Sequence, residues 1–188
     1  MKTPKTDHNL LIEKCKQGDE RALMEIYNRY YKAMYNTSIR IVKNNFEAED
    51  IMQEAFITAF KKLDKLENTD NFGAWLKRIV VNKSIEVYNR NVSKNETEID
   101  DKLYKLEIND SGYDHSLKTS SKYKHVLNAM SELKDNYSTL LNLNLIEGYD
   151  YDEICEIMSI SYSNCRTMMS RAKDSLRKKL SEMEIVLQ

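Results

Sequence analysis

One proline and four glycines in 188 residues constrain this chain more than any other feature. A sheet protein changes direction every few residues, and tight turns draw on glycine and proline. An all-α fold is therefore expected. Hydrophobic residues make up 41% of the chain and charged residues 31%, proportions that go with a buried core and not with disorder. The length accommodates one ordinary domain or two small ones at about 100–200 residues each. Cys15, Cys155 and Cys165 form no CxxC pair and lie away from any cluster of histidines. Neither a metal site, a disulfide framework nor a cofactor is suggested, and a reducing cytoplasm fits. Residues 1–9 are polar, and no run approaches the ~20 apolar residues of a membrane helix, so membrane insertion is not expected.

The apolar pattern divides the chain. Leu23, Ile26, Tyr27, Tyr30, Tyr31 and Met34 step by three and four, the spacing of a helix with one buried face, and Asp19 is placed to cap it. Ala48, Ile51, Met52, Ala55, Phe56, Ala59, Phe60 and Leu63 form a second such stripe, and Phe72, Trp75, Leu76, Ile79, Val80 and Val87 a third. With a shorter leading helix around Leu10, Leu11 and Cys15, these stripes can bury themselves only against each other. Residues 8–90 thus read as one helical domain. From 91 to 121 the periodicity fails, and four lysines face seven acids; this is the composition of a flexible acidic linker. Periodicity resumes over residues 122–180 as four helices, the last a longer one that begins near Tyr162 and runs past Leu180. No internal repeat appears at a fixed period.

The join between the last two helices carries the sharpest local signal. A short helix over Tyr151–Met158, a three-residue turn at Ser159–Ser161 and a basic helix from Tyr162 make a helix-turn-helix. Ile154, Cys155 and Met158 are expected to pack against Ile160, Cys165 and Met169. Ser161, Ser163, Asn164, Arg166 and Thr167 are then placed to reach bases and phosphates. Over 162–180, Arg166, Arg171, Lys173, Arg177, Lys178 and Lys179 oppose the single acid Asp174, a local excess of positive charge that attracts phosphate. On the third helix, Asn71, Arg78, Asn82 and Asn89 fall on a polar strip beside Trp75 at ~100° per residue. Amide and guanidinium groups next to an aromatic edge suit unstacked single-stranded bases. Lys83, close to the apolar arc, has to snorkel or meet a partner. On the second helix, Asp50, Gln53 and Glu54 share the face opposite the apolar stripe.

In this order the blocks resemble the extracytoplasmic-function (ECF) sigma factors of bacterial RNA polymerase, a branch of the sigma-70 family. The resemblance is carried by Gly18-Asp19 with Ala22-Leu23 and Tyr27, by residues 48–56 (AEDIMQEAF), by residues 72–79 (FGAWLKRI) with Asn82, and by Glu153-Ile154 through Ser170-Arg171-Ala172 to Leu176. It implies two small helical domains on a flexible linker, the second containing the helix-turn-helix. It implies that Asp50, Gln53 and Glu54 dock on core RNA polymerase, whose clamp helices are a basic partner. It assigns the minus-ten promoter element to Asn71, Phe72, Trp75, Arg78, Asn82, Lys83 and Arg90, with the helix holding Trp75, Arg78 and Asn82 and the loop from Leu66 to Phe72 together holding an unstacked base. Ser161, Ser163, Asn164, Arg166, Thr167, Arg171 and Lys173 would contact the minus-thirty-five element as duplex DNA. Anti-sigma factors are common partners in this family.

The resemblance implies no catalysis. The chain shows no glycine-rich phosphate loop, no metal-ligand cluster and no Ser/His/Asp set, and His8, His115 and His125 stand in the leading segment, the linker and a helix start. The alternative is a helix-turn-helix regulator that keeps this fold without engaging polymerase; the Asp50, Gln53 and Glu54 face argues against it. Several positions depart from the usual family pattern: the basic cluster that commonly ends the melting helix is reduced to Asn89-Arg90-Asn91, and Lys134 stands where a proline is often found. Ser159 stands for the usual turn glycine, Met168 for a frequent arginine, and Cys165 for a usual valine.

Overall fold

A computed structural model describes residues 4–95 and 121–186; these fall into two compact units. Every regular element among the described residues is helical. The first unit contains α1 (Pro4–Lys16), α2 (Glu20–Val42), α3 (Asn45–Lys61) and α4 (Phe72–Asn95). Short 3-10 turns at Leu63–Lys65 and Thr69–Asn71 lie between α3 and α4.

Local chemistry sets the helix starts. The Asp19 carboxylate accepts from the backbone N–H groups of Arg21 (2.9 Å) and Ala22 (3.1 Å), and Asn44 caps α3 in the same way through Phe46 and Glu47. Each satisfies donors that the first turn leaves without helical partners. The stripes then meet in one core in which Ile12, Ile26, Phe56, Ala59, Phe72, Leu76 and Val80 are fully or almost fully buried. Tyr27 packs on Phe56 at a ring separation of 4.8 Å. Between α2 and α4 the buried Ser38 and Ser84 hydroxyls lie 3.0 Å apart, and Ser84 Oγ is 2.8 Å from the Val80 carbonyl. Ser84 donates to that carbonyl and accepts from Ser38, so neither hydroxyl is orphaned.

Gly73 matters for a different reason. A Cβ there would stand 3.0 Å from Tyr30 Cε1. Its absence lets the Tyr30 ring lie over the start of α4, where it meets Phe72 edge-on at 5.4 Å.

The second unit contains α5 (Ser121–Ser131), α6 (Asp135–Leu141), α7 (Tyr151–Met158) and α8 (Tyr162–Val186). Leu127, Met130, Leu140, Leu141, Leu143, Ile154, Cys165, Met169 and Ala172 form its interior. The helices of the first unit overrun the expected limits of 8–90, and α1 begins at Pro4. Helix α4 runs five residues past 90, to Asn95, and Asn91 Nδ2 donates to the Glu47 carboxylate at 3.0 and 3.1 Å, which ties that last turn to α3. Helix α6 continues as a wide π turn over Asn142–Ile146, closed by the Glu147 N–H donating to the Asn142 carbonyl at 3.0 Å, while Asn142 Nδ2 donates back to the Ser138 carbonyl. Of the expected linker, residues 96–120 lie outside the described residues.

Candidate nucleic-acid interface

Helix α4 positions the polar strip. Arg78 and Asn82 are exposed on it one turn apart, Asn71 is exposed at its head, and Trp75 beside them is half-buried, its ring 6.1 Å from that of Phe72. An aromatic edge flanked by amide and guanidinium donors can stack a base and hydrogen-bond its edge. Three expected residues fall outside this cluster. Phe72 is fully buried, with its ring against Tyr30 and His8; its side chain is core, and only its backbone remains available to DNA. Lys83 meets a partner: its Nζ lies 2.9 Å from Glu54 Oε2. Arg90 is exposed, but fifteen residues beyond Trp75 it sits about 22 Å further along the helix. It can reach a separate phosphate and not the same base.

On α3, Asp50, Gln53 and Glu54 are all exposed within about 6 Å of helix, making a compact patch of carboxylates and amide. Glu54 serves two neighbours. Its carboxylate takes the Lys83 ammonium and its carbonyl accepts the Thr58 hydroxyl at 2.8 Å. Such a patch can receive a basic partner, and the ion pair connects it directly to α4.

In the second unit, the helix-turn-helix is built from short-range contacts. Asp150 Oδ1 accepts from the Glu153 N–H at 2.8 Å and Glu153 Oε2 from the Asp150 N–H at 3.1 Å, a reciprocal capping box that starts α7. Ser159 ends α7 in the left-handed region at φ 54° and ψ 44°, a conformation that disfavours residues with a Cβ. Ser161 Oγ then accepts from the Asn164 N–H at 3.3 Å, so this residue caps α8 and its hydroxyl hydrogen stays available. Thr167 donates its hydroxyl to the Ser163 carbonyl at 2.9 Å, leaving only acceptor capacity for a ligand.

At about 100° per residue, Cys165, Met169, Ala172 and Leu176 form the buried face of α8. Ser163, Thr167 and Ser170 run down the middle of the opposite face and are exposed. Arg166 and Lys173 flank them on one side, Asn164 and Arg171 on the other. Small hydroxyl groups at the centre and cations on both flanks suit a helix lying in a groove between two phosphate backbones. Two of the six cations are already engaged. Arg177 donates to Asp174 and Lys179 to Glu132, each at 2.6 Å. Among the described residues, Arg166, Arg171, Lys173 and Lys178 form no ion pair.

The cysteines serve as packing. Burial pushes the Cys165 thiol up to about 11, with Cys155 beside it adding to the shift, and burial does the same for Cys15. Both stay protonated and poorly nucleophilic near neutral pH. Three residues that periodicity does not single out also border these sites. Tyr162 is 51% exposed at the head of α8 with its ring 6.2 Å from Tyr151. Asn9 and Lys16 of α1 reach the loop before α4, and no sequence signal marks contacts 61 and 50 residues apart.

The fold and these surfaces together define a two-unit helical protein with a helix-turn-helix. The family model for Sigma-70 region 2 matches residues 26–93, and that for Sigma-70 region 4 matches residues 124–176. The ECF RNA polymerase sigma factor SigM of Bacillus subtilis (strain 168) is 31% identical over 157 residues, covering 81% of this chain and 91% of that protein. SigW of the same organism, also an ECF sigma factor, is 28% identical over 181 residues, covering 92% and 96%. The sigma factor RpoE of Bartonella quintana, solved with the anti-sigma factor NepR, shares the fold at TM-score 0.55 and 20% identity, over 84% of this chain and 96% of that one. The chain belongs to the ECF sigma factors of the sigma-70 family. No helix among the described residues is long and apolar enough to cross a membrane.

Proposed function

We propose that this sigma factor binds core RNA polymerase through Asp50, Gln53 and Glu54, captures an unstacked minus-ten base at the loop before α4, and reads the minus-thirty-five element with α8. The observation that carries the reading is the Trp75, Arg78 and Asn82 strip. It is polar and set beside an aromatic edge, with Arg78 and Asn82 exposed, on a helix whose Phe72, Leu76, Val80 and Val81 are core. Opening base pairs costs energy, and stacking with hydrogen bonding in a prepared site offsets it. The protein needs no reaction chemistry of its own for this. An anti-sigma factor is a third partner, supported by the RpoE–NepR complex of like fold.

Transcription reconstituted from this chain and core polymerase of its source bacterium tests the reading. Promoter-specific transcripts are expected, and their absence overturns it. A Gln53→Ala, Glu54→Ala double variant should no longer capture core subunits while keeping duplex binding by the second unit; unchanged capture removes the α3 face from the proposal. Arg171→Ala should lower the salt slope of promoter binding by about 0.9, the share of a single neutralised phosphate.

A further inference from the structure

The loop between α3 and α4 has little packing of its own. From Asp64 to Asn71 only Leu66 is buried, and most of the other side chains are exposed. Two polar contacts from α1 hold it instead. Lys16 Nζ donates to the Leu66 carbonyl at 3.2 Å, and Asn9 Nδ2 donates to Asp70 Oδ1 at 2.8 Å. The two donors stand seven residues apart on α1, about 10 Å along its axis. They grip the loop just after its first 3-10 turn and again within its second. Glu13 holds the Lys16 ammonium from the other side at 3.1 Å. The Asn9 amide oxygen is buried without a hydrogen-bond partner, so Asp70 alone orients the side chain. Next to it, the His8 ring lies 6.4 Å from that of Phe72 and 6.0 Å from that of Tyr30, which fixes this end of α1 to the head of α4.

We infer that α1 is a brace for the base-capture loop, with Asn9 and Lys16 as positioning residues that set minus-ten discrimination without touching DNA. The inference rests on the base-capture reading above. A loop that must order itself on binding loses part of its interaction energy, and it does so for right and wrong bases alike once it can adapt. A loop held at both ends keeps one shape, so a wrong base meets unpaired groups and clashes. The brace therefore sharpens the ratio between bases more than it raises affinity for either.

Holoenzyme assembled from the full chain and core polymerase is used to select strands from a randomised single-stranded DNA library. The preferred strand and its one-base variants then serve as anisotropy probes. The Asn9→Ala, Lys16→Met double variant should lose discrimination on the order of tenfold, the scale of a charge-assisted hydrogen bond, with core affinity unchanged. Lys16→Arg, which can still reach the Leu66 carbonyl, should restore most of what Lys16→Met loses. Discrimination within about twofold of wild type, or a loss that merely follows a loss of core binding, overturns the brace. Trp75→Ala and Asn71→Ala separate this failure from failure of the underlying reading. If they abolish discrimination while the α1 variants do not, only the brace falls; if they too leave it unchanged, base capture at this loop falls with it.

Discussion

The two units place their functional side chains by opposite means. In the second, the hydrogen bonds that start α7 and α8 span three or four residues: Asp150 with Glu153, Ser161 with Asn164, Ser163 with Thr167. In the first, hydrogen bonds span tens of residues. Asn9 reaches Asp70 across 61, Asn91 reaches Glu47 across 44, Ser84 meets Ser38 across 46, and Lys83 meets Glu54 across 29. A helix-turn-helix has one rigid shape to present to a regular duplex, and local caps suffice to fix it. A site that receives an unstacked base needs several elements at once, so its geometry is a property of the whole bundle. Damage to the first unit should therefore spread, and damage to the second should stay local.

The strongest break of this contrast is Phe72→Ala. Emptying that fully buried position should cost about 3–5 kcal/mol of first-unit stability and leave the second unit's unfolding midpoint unchanged, as read by hydrogen exchange over α2–α4 against α5–α8. A variant that stays fully stable and loses only minus-ten binding would return Phe72 to the DNA surface. Asp150→Ala should cost about 1 kcal/mol, with exchange rising at the start of α7 and nowhere in the first unit. A rise across the whole second unit would show that its caps are not local after all.

The same contrast explains which features are legible in the amino-acid sequence. Apolar spacing places α2, α3 and α4 and the α7–α8 pair, because burying a stripe is the main reason these helices exist. The helix-turn-helix is legible to the residue, since its caps and turn lie next to one another in the chain. Periodicity puts Phe72 on a buried stripe, as found, and only the family resemblance turns its side chain toward DNA. Whether it faces a base or the core depends on Tyr30, admitted by Gly73 from another helix. Lys83 is visibly in want of a partner, but nothing in its neighbourhood names Glu54. The extension of α4 to Asn95 depends in the same way on Glu47, far away in the chain.

Ser159 tests whether local economy is complete in the second unit. The left-handed conformation costs a non-glycine residue roughly 1–2 kcal/mol, and glycine's greater chain entropy takes back about 0.5–1 kcal/mol. Ser159→Gly should thus stabilise the second unit by about 0.5 kcal/mol, measured by denaturant midpoint. Promoter affinity should not change, because the angle between α7 and α8 is already set by their packed faces. A change in affinity at constant stability would mean that the turn residue itself contacts DNA.

The smallest effect is the most informative about the first unit. Lys83 and Glu54 form a surface pair with side chains 28% and 66% exposed, and such pairs contribute about 0.2–1 kcal/mol. Lys83→Met keeps the aliphatic stem and should move folding stability by no more than about 0.5 kcal/mol. Its effect on polymerase is of the same size and of opposite sign. If Glu54 must accept a cation of core polymerase, Lys83 competes for that carboxylate, and removing it should tighten core binding about twofold. In a Glu54→Gln background the same substitution should do nothing, because no carboxylate remains to contest. A double-mutant cycle on core affinity reads this coupling directly. Weaker binding in the Lys83 variant would mean that the lysine presents Glu54 to polymerase and does not withhold it, and a cycle with no coupling would separate the α3 face from α4 altogether.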